Sequence, residues 1–234
     1  MRSHSETSYG ARIGNAEKLV AALQNFNGYL PIKPEFSITS YTGLINTTKG
    51  FNTTVADKKQ AHSLAVENRI QIFDKREDAI KKTLPSINGA VKVFFGRTSK
   101  EAKDVAAIIA KITGNNIKRG TINVNENLVS QSYQSYQSKT QFFADLVEYL
   151  TNFGTDYDPA NSAIKVIALN GIYANAVTAN NEVMNTFTQF AQNNAIRIES
   201  YNQLSQTAIR IKDSVKAQYG VQSTEYRLIK GLKI

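Results

Sequence analysis

Metal-ligating and nucleophilic side chains are scarce in this sequence: two histidines and no cysteine. His4 sits in a polar N-terminal stretch. His62 falls on the seam of a long helical pattern, where an imidazole packs more often than it ligates. A Ser-His-acid triad would have to be built on His62, and no Gly-x-Ser-x-Gly elbow accompanies it. Neither a Gly-x-x-x-x-Gly-Lys-[Ser/Thr] phosphate loop nor a Gly-x-Gly-x-x-Gly fingerprint occurs. Asp156-x-Asp158 has the spacing of two calcium ligands but runs into Pro159 and reads as a turn. Asn46-x-Thr48 and Asn52-x-Thr54 match glycosylation acceptors in form only, on a helix of a chain read as non-secreted. No catalytic, cofactor-binding or metal-binding residue is assigned, and a chain without enzymatic activity is expected.

Charge and aromaticity remain. The net charge of +9 points towards acidic partners, and its excess is concentrated. Segment 92–119 carries 7 basic residues (Lys92, Arg97, Lys100, Lys103, Lys111, Lys118, Arg119) against 2 acidic ones. Segment 207–234 carries 6 (Arg210, Lys212, Lys216, Arg227, Lys230, Lys233) against 2, while 120–206 is acidic, 3 against 7. The two basic segments could bind nucleic acid or another polyanion, or pack on the acidic middle of the chain. Tyr133 and Tyr136, beside Lys139, add aromatics of the kind that stack single-stranded bases. Tyr29, Tyr41, Tyr157, Tyr173, Tyr201, Tyr219 and Tyr226 fall in turns or on seams and read as core-edge residues.

The elements that position these residues are helices. Residues 14–26 show Ala16, Leu19, Val20 and Leu23 at helical spacing, and the prolines Pro31 and Pro34 force a turn after them. From about 38 to 95 apolar positions recur at three- and four-residue steps, predicting one long amphipathic helix weakened at Gly43 and Gly50 and bent at Pro85. Phe95-Gly96 ends it, Ser99 caps the next helix, and Gly114 stops that one. Segment 115–137 is turn-rich, with a short strand-like alternation at 121–124 and a low-complexity Tyr-Gln-Ser run. A helix over 138–153, a turn at 156–159, a long helix from about 161 bent near Asn193-Asn194, a stop at Tyr219-Gly220 and a Ser223 cap complete the chain.

The two halves share one grammar. Phe95-Gly96 matches Tyr219-Gly220, and Ser99-x-Glu101 matches Ser223-x-Glu225, at an offset of 124 that also pairs Ile80 with Leu204 and Ile87 with Ile211. The same offset pairs Ile45 with Leu169 and Ile72 with Ile196, whereas Asn25-Phe26 and Asn152-Phe153 require 127. Helical periodicity alone would reproduce the seam but not the stops and caps. The expectation is an all-α antiparallel bundle of long bent helices formed by two duplicated units. Its parts are a tail at 1–13, one unit at 14–114, a connection at 115–137 and a second unit at 138–234 packing with the first as a single domain.

The run 130–136, Tyr157-x-Pro159, Leu169-Asn170, Arg197 with Tyr201, and the terminal Val215-Lys216, Tyr219-Gly220, Ser223-x-x-Tyr226 and Gly231-Leu232-Lys233 resemble a group of uncharacterised helical proteins of similar length from Bacteroidota. The resemblance implies a fold and no activity. No apolar run reaches the roughly 18–20 residues of a membrane span, no signal peptide is read, and a cysteine-free chain suits the cytoplasm. The functional expectation is a structural or scaffold protein that binds itself or another protein, with no cofactor and no small-molecule substrate. Nucleic-acid binding is the alternative.

Overall fold

The computed structural model describes residues 8–114 and 135–234. Among them the regular elements are helices, with no strand. His4, the strand expected at 121–124, Tyr133, Lys118 and Arg119 lie outside the described residues.

Helix α1 (Tyr9–Asn25) starts earlier than the tail expected over 1–13 allows. The reason is Ser8, whose side chain accepts from the Ala11 amide at 3.2 Å and caps the first turn. Ile13, Ala16, Leu19 and Leu23 form its buried stripe. After Gly28, in the left-handed region at φ 74°, a short 3₁₀ turn (Pro34–Phe36) leads into α2 (Ile38–Ile70). Gly43 and Gly50 do not interrupt α2.

The interruption comes later and at a different place from Pro85. A π turn (Gln71–Lys75) follows α2, the chain leaves helical geometry at Arg76, and α3 (Ile80–Phe95) restarts with Pro85 inside it. Proline in a helix costs about 3 kcal/mol. Leu84, Ile87 and Val91 around it are all 0–1% exposed, and burying each such side chain contributes about 1.5–3 kcal/mol, so burial wins. The break falls instead at Lys75-Arg76-Glu77-Asp78, which has no apolar side chain to bury. Arg76 holds Asp78 there through two bonds of 2.8 and 2.7 Å.

Helix α4 (Lys100–Thr113) begins at a Ser99 cap and stops at Gly114 in left-handed geometry, as read from sequence. Helix α5 (Tyr136–Thr151) is capped by Ser135. Helix α6 (Val166–Tyr219) runs 54 residues without interruption through Asn193-Asn194. Ser223 caps α7 (Thr224–Ile229).

The chain condenses into two compact units whose boundaries cut across 14–114 and 138–234. Unit 1 comprises residues up to Gln60 together with Phe187–Ile234. It holds α1, the first part of α2, the last part of α6, and α7. Its core joins Leu19 and Leu23 to Tyr41, Ile45, Tyr201, Leu204, Ile211 and Ile229. A polar seam accompanies that core: Thr48 Oγ1 lies 2.7 Å from Ser200 Oγ, the Asn52 amide donates to the Tyr201 hydroxyl at 2.8 Å, and Lys58 donates to Gln189 at 3.0 Å.

Unit 2, Ala61–Thr186, holds the end of α2, the π turn, α3, α4, α5 and the first part of α6. Phe73, Leu84, Val91, Val105, Phe143, Leu150 and Leu169 meet in its core. The sequence halves are therefore not the compact bodies. Each unit draws helices from both halves, because α2 and α6 are too long to be covered over their whole length by the short helices next to them in sequence.

Candidate interaction surfaces

One end of unit 1 is built around Tyr29. Its hydroxyl donates to the Phe36 carbonyl at 3.0 Å and closes the proline turn. The turn is also tied to the end of α6. The Leu30 amide donates to Gln218 Oε1 at 3.1 Å, the Gln218 amide group donates to the Gly28 carbonyl at 2.6 Å, and the Tyr219 hydroxyl donates to the Asn27 carbonyl at 3.0 Å. The Phe26 and Tyr219 rings meet edge-on at 5.8 Å. On this fixed turn Leu30 and Ile32 are 73% and 68% exposed, and Val221, just beyond Tyr219, is also exposed.

In unit 2 the turn before α6 is closed by Tyr157, which donates to the Ile164 carbonyl at 3.0 Å. Burial pushes its phenol up to about 12. Lys165 pairs with Asp158 at 2.7 Å, Phe94 meets Tyr157 edge-on at 5.8 Å, and Val93 and Ile167 project outward.

The basic candidates separate between the units. Lys92, Arg97, Lys100, Lys103 and Lys111 belong to unit 2, and Arg210, Lys212, Lys216, Arg227, Lys230 and Lys233 to unit 1. Several are engaged within the chain. Lys100 pairs with Asp104 at 2.7 Å, Lys111 lies over the Phe142 ring, Arg210 approaches Glu35 at 3.9 Å, Lys216 lies over Tyr226, and Arg227 donates to Gln222. Lys212 is the least available of them: half-buried, it donates to the Leu232 carbonyl, and burial lowers its pKa. Among the described residues, Lys92, Arg97, Lys103 and Lys230 form no ion pair.

His62 places Nδ1 3.3 Å from Thr186 Oγ1. Among the described residues no group of three or more acidic or histidine side chains converges as a metal site would require. Tyr136, expected beside Lys139 as a base-stacking candidate, does have Lys139 5.6 Å from its ring, but Arg69 at 4.1 Å and Phe73 at 4.9 Å already pack on it. Tyr9 carries the same arrangement, with Arg197 4.3 Å above it and Tyr201 at 4.5 Å. The sequence showed the turn at Pro31 and Pro34 but did not mark Leu30 and Ile32 as a surface, nor Tyr9 and Arg69 as ring-stacking partners. For Tyr9 the available signal was the Ser-Tyr pair at the head of α1 and again at the head of α5.

An open groove of about 380 Å³ lies between α1 and α7 in unit 1, lined by Lys18, Ala21, Ala22, Leu228, Ile229 and Leu232. Compared with family models, with characterised proteins and with solved structures, the chain finds no match.

Proposed function

We propose that the chain is a non-enzymatic helical scaffold acting through protein–protein association, and that it associates with itself through the apolar end of unit 1. The exposed Leu30 and Ile32 on a turn held from both sides carry this reading. A loose loop could fold such side chains inward, whereas this turn keeps them in water. Burying each against a second copy contributes about 1.5–3 kcal/mol before the cost of association. Light scattering and sedimentation from about 1 to about 200 µM test it. The expected result is concentration-dependent association of the natural chain and a monomer for Leu30→Ser/Ile32→Ser, with unchanged thermal stability. A natural chain that stays monomeric throughout overturns the reading.

The proposal extends to how the scaffold is built, as a duplicated antiparallel bundle. Six paired observations support duplication. Ser8 and Ser135 cap the first helices, and Tyr9 and Tyr136 each carry an arginine, Arg197 and Arg69. Phe26 meets Tyr219 as Phe153 meets Phe95, and Tyr29 and Tyr157 each bond a carbonyl seven residues on. The buried Oδ1 atoms of Asn52 and Asn180 are without a partner among the described residues, as are the Nε atoms of Arg197 and Arg69.

These pairs run at an offset of 127 in the first helix, 128 from Tyr29 and Tyr157 to Phe73 and Tyr201, and 124 from Ile80 and Leu204 onward. On this register Tyr41, not Ile45, corresponds to Leu169. In unit 1, residues 41, 48 and 58 of α2 bond to residues 204, 200 and 189 of α6, which supports an antiparallel course.

The exposed Arg97, Lys103 and Lys230 favour a second reading, polyanion binding by phosphate contact. Titration of a labelled duplex and a single strand at about 50 and about 200 mM salt tests it, because several neutralised phosphates make affinity fall by orders of magnitude over that range. No binding at the lower salt ends it.

A further inference from the structure

Given the association reading and the correspondence between the two units, the groove between α1 and α7 has a template within the same chain. At offsets of 127 and 124, Ala22 corresponds to Tyr149, Leu228 to Asp104 and Leu232 to Ile108. In unit 2 the partly buried Tyr149 of α5 reaches across to α4. Its hydroxyl donates to Asp104 Oδ2 at 2.7 Å, and its ring meets Phe153 edge-on at 5.2 Å. In unit 1 an alanine stands where that tyrosine would be, and the groove stays open with Leu228 64% exposed on its wall. The same helix pair thus has a place for one aromatic ring, taken from within in one unit and available in the other.

Charge narrows the occupant. Lys18, Arg227, Lys230 and Lys233 stand exposed on or beside the groove-lining residues. The acidic side chains nearest in sequence are Glu17, which is paired with Lys49, and Glu225. A largely apolar groove with Lys18 on its wall and exposed cations next in sequence to its lining residues complements an acidic segment with an apolar anchor. Resting on those two readings, we propose that this groove docks an acidic segment of a partner protein, anchored by one aromatic side chain seated over Ala22.

The test uses the full chain and three fluorescein-labelled peptides of about fifteen residues: a Glu- and Asp-rich helix with one Tyr and two Leu on one face, the same with Ala for Tyr, and a Lys-rich version keeping Tyr. The first is expected to bind saturably, and the other two at least about tenfold more weakly. Ala22→Tyr reproduces the tyrosine of unit 2, so it is expected to keep or raise thermal stability while weakening the first peptide at least about tenfold. Leu228→Glu changes an exposed position, spares the fold, and sets a carboxylate against the acidic peptide with the same expected loss. Equal binding of the first peptide to the natural chain and both variants overturns the proposal. So does its failure to bind at about 100 µM, or an oligothymidylate that binds in an Ala22→Tyr-sensitive manner where the peptide does not. Leu30→Ser/Ile32→Ser separates the two readings: peptide binding without self-association leaves the groove standing and removes the end patch, and self-association without peptide binding does the reverse.

Discussion

Tyr157 combines three roles in one side chain: its hydroxyl closes the turn before α6, its ring receives Phe94, and its burial raises its pKa from 10.0 to about 12. The protonated phenol is the form the fold prefers. Stability from this group is therefore complete below pH 10 and is lost as pH rises from 10 through about 12. Tyr41, fully buried, is shifted the same way by burial alone. Thermal unfolding followed from pH 9 to 12 should show a steep fall in the natural chain and a shallower one in Tyr157→Phe. At neutral pH that variant should lose about 1 kcal/mol, for one buried hydrogen bond. Identical alkaline profiles would remove Tyr157 as the titrating group. Tyr157-x-Pro159 was visible in the sequence as a turn, but the hydroxyl's partner was not, because the Ile164 carbonyl comes within reach only once the 3₁₀ turn Ser162–Ile164 has formed.

Among the elements, stops and caps were legible and helix continuity was not. Ser99, Ser223, Gly96 and Gly114 act through bonds within a few residues, so local sequence suffices to place them. Pro85 and the charged run at 75–78 are decided by burial, which depends on the partner helix and not on neighbours in sequence. If α2 with α3 corresponds to α6, the break is a four-residue excess. Deleting residues 75–78 turns Phe73-Asp74-Ala79-Ile80 into the counterpart of Tyr201-Asn202-Gln203-Leu204. The ion pairs lost with it, Lys75 with Glu67, Arg76 with Asp78 and Lys82 with Glu77, are exposed and worth little. Circular dichroism of the deletion is expected to show helicity equal to or above that of the natural chain, with a single cooperative melt. A molten or unfolded product would break the correspondence.

For the molecule as a whole, the shared grammar of the two halves was readable because stops and caps are local signals that recur in order along the sequence, yet where the compact bodies lie was not. Compactness depends on which helices meet, and each unit takes a first helix with the start of its long helix from one half, and the end of a long helix with a closing short helix from the other. That exchange has a measurable consequence. On the proposed register Leu23 of α1 and Leu150 of α5 correspond, and both are essentially unexposed. Truncating a buried leucine to alanine costs about 2–5 kcal/mol, depending on how well the site collapses. If the two units share one packing plan, Leu23→Ala and Leu150→Ala should each cost that much, differing by no more than about 1 kcal/mol in denaturant unfolding. Both losses should exceed that of Ala22→Tyr, which adds a ring where the other unit already holds one. Strongly unequal losses for the two leucines would mean that the units resemble each other in outline without sharing a core, and the groove between α1 and α7 would lose its template.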